Sequence, residues 1–389
     1  MPGPRAEAAP DELRAELAER IRRDGPLPVD RFMKACLEHP VHGYWRKPDT
    51  IGAGGDFVTA PEISQVFGEL IGLWCAVVWD VMGRPAPVRL VELGPGRGTL
   101  MRDALRAARV LPGFLEAAFV HLVEVSAPLR RTQGETVLSG KGGHALAGRV
   151  AWHENFDAVP AGPAIVIANE FLDALPIRQL VCSRQAWHER VVALGPDGCF
   201  RFEAGDAVDF ASTAPPPDEG AIMELRAGEE QLLATLAERA EPVAALFIDY
   251  GTAAESFGDT LQAVRRHAYT EPLADPGAAD VTAHVHFAAL ARKARAAGLA
   301  ADGPLTQAEF LGRLGIVERT ARLMGANPAC AGEIEAATQR LMSPAGMGQL
   351  FKAMAVRSPA LPAPPPFGSR PSGAAALRVE TSRSCRTLS

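Results

Sequence analysis

The stretch Val88-Arg89-Leu90-Val91-Glu92-Leu93-Gly94-Pro95-Gly96-Arg97-Gly98-Thr99-Leu100 constrains this chain more than any other. Val88 to Leu93 is a short apolar run of the kind that forms a buried parallel strand, and Thr99 to Arg106 has helical periodicity. Three glycines at alternate positions separate them. Strand, glycine turn and helix make a nucleotide-binding opening, because glycine lets the backbone approach a ligand that side chains would block. The spacing is G-x-G-x-G. The dinucleotide signature G-x-G-x-x-G is not met, since Thr99, Leu100 and Met101 follow the third glycine; this disfavours a nicotinamide dehydrogenase. Glu92 places an anion at the strand end, where it would repel a pyrophosphate but pair with a cationic amino-acid head group. Glu92, Gly94, Gly96 and Gly98 therefore point to S-adenosyl-L-methionine (SAM).

The α/β rhythm continues downstream. Ala118 to Val125 reads as a second strand that delivers Glu124, an acid placed to accept hydrogen bonds from both ribose hydroxyls. Gly148 to Trp152 is a third strand, followed by Glu154 where an adenine edge would be met. Pro163 to Ala168 is a fourth, ending in Asn169-Glu170-Phe171-Leu172-Asp173. Parallel strands open their C-terminal ends on one rim, so Glu92, Glu124, Glu154, Asn169 and Glu170 are expected to face one cleft. From Ile177 to about Pro242 the pattern becomes that of an antiparallel insertion, a lid or substrate surface. Ala244 to Ile248 restores the core as a fifth strand, with Asp249 capping its end and Tyr250 able to wall the pocket. Upstream, helices are expected over 11–23, 28–37 and 62–82, with a glycine loop from Ile51 to Glu62 that carries Asp56. The division expected is 1–85, 86–176, 177–243, 244–360 and a disordered Pro-, Ala-, Ser- and Arg-rich tail, 361–389.

Composition narrows the partners. The net charge of -6 argues against a nucleic-acid binder. Six cysteines without a C-x-x-C pair fit a reducing compartment. His284 and His286 share a strand face but lack a third ligand, so no metal site is expected. The acidic N-terminus is not expected to act as a secretory signal, and the most apolar run, Val66 to Met82, is too short and charged for a bilayer. A cytoplasmic bacterial protein is expected.

The glycine turn, Gly43-Tyr44-Trp45, Ile51 to Glu62, Val66-Phe67-Gly68-Glu69-Leu70, Asn169 to Pro176, Ile248-Asp249-Tyr250-Gly251 and Asp280 to His284 together resemble the MidA family. The similarity runs from about Gly25 to Pro359. Trp45 departs from the family's second Tyr, and the Arg/Ser-rich tail after Phe367 has no counterpart in it. The resemblance implies an α/β, class I methyltransferase (Rossmann-like) fold: a seven-stranded, mostly parallel sheet with a helical N-terminal extension and an inserted substrate-side subdomain. It also implies SAM-dependent methylation of a protein arginine, with the 49-kDa-type subunit of respiratory complex I as the expected partner. A mitochondrial location follows only by analogy with that family.

A guanidinium is a poor nucleophile, and carboxylates that grip it can orient one nitrogen and localise charge on another. Glu170 and Asp173, neighbours at i, i+3, are the candidates, with Asp56 as a third; their bland alternative is charge complementarity at a helix N-terminus. Asn169 is placed to accept from the SAM amino group. Two other functions stay open: methylation of another protein or a small molecule, and a non-catalytic SAM-binding assembly chaperone. The sequence leaves the oligomeric state open, a homodimer included.

Overall fold

The computed structural model describes residues 10–47, 58–139, 146, 148–210, 218–239, 241–254 and 257–368. Seven strands carry the site: β1 (Val88–Leu93), β2 (Ala118–Val123), β3 (Val150–His153), β4 (Ala164–Asn169), β5 (Val243–Thr252), β6 (Ala300–Thr306) and β7 (Phe351–Arg357). They lie in the order β6-β7-β5-β4-β1-β2-β3. β1 to β5 pair in parallel, and β7 alone runs against both of its neighbours. A two-residue strand, Val285–His286, adds to the far end of β5, so the sheet counts eight strands where seven were expected.

Both faces of this sheet are apolar because both are covered. In β4, Ile165 and Ile167 face one core while Val166 and Ala168 face the other. The first core is filled by the helices α3 (Gln65–Val81) and α4 (Thr99–Ala108), the second by α6 (Ala227–Glu238) and α7 (Phe287–Ala296). The chain moves outward from β1 to β3 and then returns beside β1 as β4. Such a reversal opens a crevice at the C-terminal strand ends.

The expected helix over 62–82 is broken at Ser64. The short turn Ala60–Ile63 ends there, and the Ser64 hydroxyl accepts from the Val66 amide at 3.2 Å to cap α3. α3 then crosses α4 at Gly68 and Gly72, where a Cβ on Gly72 would lie 2.2 Å from the Ala104 carbonyl oxygen. Only backbone fits there. Gly72→Ala is therefore expected to cost about 1–3 kcal/mol, as overpacked cores do. Denaturant unfolding checks this, and an unchanged midpoint would show that the two helices separate freely.

A second body stands above the strand ends. Arg178–Ser183 and Ala186–Leu194 form a hairpin whose turn is Arg184-Gln185, both left-handed, so Trp187 to Glu189 lie within a strand. Strands Phe200–Ala207 and Ile222–Leu225 extend it, the latter unanticipated from sequence. The strand Leu27–Pro28 pairs with Val191 and Val192, and α1 (Pro10–Asp24) and α2 (Val29–Glu38) share one core with Ile177, Val192 and Phe200. The N-terminal helices are thus packed on the antiparallel sheet. At the C-terminal end, Phe367 packs on Phe310, ring centroids 5.6 Å apart, so the start of the expected disordered tail is attached. Residues 369–389 lie outside the described residues. No described helix is long and apolar enough to cross a membrane.

Candidate active site

The crevice is a cavity of about 550 Å³. Among the described residues, nine of its lining side chains are Asp or Glu and two are Lys or Arg. Such a lining favours cationic ligands.

The glycine turn forms its floor. Gly94, Gly96 and Gly98 have φ of 60, 53 and 81°, conformations that L side chains adopt at a cost. Gly94 also lies against Phe171, whose Cδ2 would be 3.0 Å from an added Cβ. Gly94 and Gly96 line the cavity. Gly98 does not: it opens α4, and its missing Cβ makes room for Val137 and Gln133 of α5 (Ala127–Ser139). The Thr99 hydroxyl donates to Glu62 at 2.5 Å, tying the turn Ala60–Ile63 to the start of α4.

Glu92 is 3 % exposed, and its Oε2 lacks a hydrogen-bond partner among the described residues. Burial pushes its pKa up to about 8. An orphaned buried carboxylate is costly unless a cation or donor reaches it. The two Glu124 oxygens accept from the Ser126 amide at 2.7 Å and the Gln133 side chain at 3.1 Å. Burial raises the Glu124 pKa against the effect of these donors. Gln133, which sequence reasoning missed, also donates to the Gly96 carbonyl at 2.9 Å and accepts from Trp152 at 2.9 Å. It locks the glycine turn to the end of β2. Glu154 lines the cavity from the rim, its side chain 80 % exposed and 3.8 Å from Arg130.

Asn169, Glu170 and Asp173 meet at the end of β4. Glu170 Oε1 accepts from the Ala60 amide and from Asn169 Nδ2, each at 3.1 Å. Glu170 Oε2, Asp173 Oδ1 and Asn169 Oδ1 are buried without hydrogen-bond partners among the described residues. Burial raises the Glu170 pKa to about 8 and the Asp173 pKa to about 6. Asp56 lies outside the described residues. Asp249 lies inside β5, not at a strand end, and Tyr250 is buried away from the cavity, its hydroxyl 2.5 Å from Thr282 Oγ1. His286 faces Glu224 at 3.6 Å, and no group of three metal-ligating side chains occurs among the described residues.

These acids set a pH dependence. Glu92 binds its proton up to about pH 8 when folded, whereas an unfolded carboxyl releases it near 4.5. The folded state therefore holds more protons between those values, and its stability falls as pH rises through that window. Glu92→Gln is expected to flatten the decline in melting temperature of the ligand-free protein between pH 5 and 8. Parallel profiles for variant and parent would refute the burial argument.

Comparison with known proteins fits this geometry. The profile of the family described as "Putative S-adenosyl-L-methionine-dependent methyltransferase" matches residues 70–305. A Danio rerio relative, named protein arginine methyltransferase NDUFAF7, mitochondrial, is 36% identical over 87% of this chain and 85% of its own length. The chain belongs to this methyltransferase family. The human relative of the same name is 33% identical, covering 87% of this chain and 82% of its own length. A Burkholderia thailandensis protein solved with bound S-adenosyl-homocysteine superposes with a TM-score of 0.80 at 30% identity, over 94% of this chain and 96% of that one. The methyltransferase fold expected from sequence is thus the one observed, and the enzyme's cofactor is SAM. The residues present fit that cofactor on their own chemistry, since Glu92 offers a buried, uncompensated oxygen to a cation above a glycine turn without side chains.

Proposed function

We propose that this methyltransferase modifies an arginine side chain of a protein. The observation that carries the proposal is the pair of buried, uncommitted oxygens, Glu170 Oε2 and Asp173 Oδ1, in an acid-lined cavity beside the glycine turn. Each of the two carboxylates would take one edge of a guanidinium, because Glu170 Oε1 is already engaged. The arginine methyltransferase names of the relatives support the same acceptor.

Bound SAM supplies a methyl on a positively charged sulfur; the chain supplies orientation, charge and exclusion of water. In this reading Glu92 and Asn169 receive the amino-acid end, Gly94 and Gly96 admit it, Gly98 seats α4, Glu124 receives the ribose hydroxyls and Glu154 guards the adenine edge. The nitrogen–carbon bond forms as the sulfur–carbon bond breaks with its electron pair left on sulfur. The nitrogen's proton then passes to Glu170 or Asp173, whose raised pKa values suit them to take it. The finer reading is a cytoplasmic bacterial enzyme whose substrate is the 49-kDa-type subunit of complex I.

Tritium transfer from labelled SAM into a lysate of the host lacking this protein tests it, with Gly96→Val as the blank. One labelled band at the mass of that subunit is expected. Label in small molecules alone, or none with SAM binding intact, would overturn the arginine reading.

A further inference from the structure

Asp249 has no exposed surface and lines no part of the cavity, yet it reaches the site through the main chain. Its Oδ2 accepts the amides of Phe171 at 3.1 Å, Leu172 at 2.9 Å and Asp173 at 3.2 Å. Its Oδ1 accepts the Tyr250 amide at 2.9 Å. The path of the chain explains the convergence. Asn169 pairs with Ile248 at the end of β4, and the Glu170 amide donates to the Ile248 carbonyl at 2.8 Å, one residue beyond the strand. Glu170 then adopts φ of 51°, a left-handed conformation that costs a side-chain-bearing residue about 1–2 kcal/mol. That bend swings the next three amides toward β5.

The carbonyls of the same turn are held from another side. Arg226, 2 % exposed, donates to the Leu172 carbonyl at 3.3 Å, and the Ala283 amide donates to the Asp173 carbonyl at 3.0 Å. None of these contacts uses the carboxylate of Glu170 or Asp173.

We infer that Asp249 is the positioning residue of the acceptor site: by gathering three successive amides it sets the angle at which Glu170 and Asp173 hold their unpartnered oxygens. The inference rests on the acceptor reading given above. It requires a carboxylate, because both oxygens act only as acceptors. An asparagine would turn its NH₂ group toward either one backbone donor or three.

Asp249→Asn is expected to slow tritium transfer from labelled SAM into host-lysate protein about a hundredfold, the scale of a 1 Å misplacement. Its affinity for S-adenosylhomocysteine by calorimetry should stay at the parental value. A folded variant with the parental rate overturns the inference, and so does an equal loss of rate and affinity, which would mark a plain core residue. Asp249→Ser, which admits a water to accept from the amides, takes its place should Asp249→Asn fail to fold. In the unsubstituted protein the amides of 171–173 should exchange with deuterium as slowly as those of β4; exchange at loop rates overturns the inference without any variant. Glu170→Gln assayed alongside tells the failures apart. A parental rate there defeats the acceptor assignment, whereas a slow Glu170→Gln beside a fast Asp249→Asn defeats only the role given to Asp249.

Discussion

Glu170→Gln is expected to slow methyl transfer by about 10²–10³-fold, the usual loss when one preorganised electrostatic partner of a transition state is removed. Cofactor binding should persist. The substitution is nearly isosteric, and the glutamine oxygen can still accept from the Ala60 amide and Asn169 as Glu170 Oε1 does. What changes is the other position, where an NH₂ group would replace the buried Oε2 and point its donors at the donors of a guanidinium. The fold should tolerate this, since burial already raises the Glu170 pKa to about 8 and a neutral side chain relieves that strain on the ionised form. Initial rates of tritium transfer, paired with S-adenosylhomocysteine titration, read the two effects separately. A variant as fast as the parent would remove Glu170 from the chemistry.

Gly96→Val should act on the other half of the cavity. Gly96 lines the cavity with φ of 53°. A β-branched residue there meets both the left-handed penalty, about 1–2 kcal/mol, and the loss of the space through which a ligand touches backbone. We expect SAM affinity to fall by roughly a hundredfold or more, about 2.8 kcal/mol. Calorimetry on protein that still unfolds cooperatively decides it. Parental affinity would mean that the cofactor lies away from this turn.

How far such a site can be read from sequence depends on how local its causes are. The meeting of the glycine turn, Glu92 and Glu124 in one cleft was legible because strand, turn and helix follow one another within a few residues, and the parallel rhythm placed their ends together. The place of Asn169, Glu170 and Asp173 on the same rim was legible for the same reason. The partners that fix them were not. Gln133 sits in the middle of α5, where a glutamine looks like a solvated helix residue, and only the packing of α5 against Gly98 turns it inward. Asp249 appeared to close a strand because Tyr250-Gly251 resembles a turn; β5 instead continues to Thr252, since β7 lies beside it as far as Tyr250 and Val285–His286 beyond. β6 is not legible in the sequence. Its Ala300-Ala301-Asp302-Gly303-Pro304 lacks strand propensity, and it is held as an edge strand by β7 with an irregularity between Asp302 and Leu305. The helices Ile316–Ala326 and Ala331–Met342 are likewise not among the elements expected from sequence.

β4 ends at Asn169 and β5 begins at Val243, yet the two are hydrogen-bonded neighbours. Everything between them leaves and re-enters the sheet through adjacent doors. The entropic cost of a loop with fixed ends grows only slowly with its length, about 0.6 kcal/mol per doubling. The loops of the intervening segment are therefore free to lengthen or shorten, while Arg226 and α6, whose Leu232, Leu233 and Leu236 fill the second core, stay in register with the doorposts. Glu170 and Asp173 stand just inside the first doorpost and Asp249 just inside the second. Changes in the loops of that excursion therefore need not disturb the hydrogen bonds by which Asp249 holds the turn that carries Glu170 and Asp173.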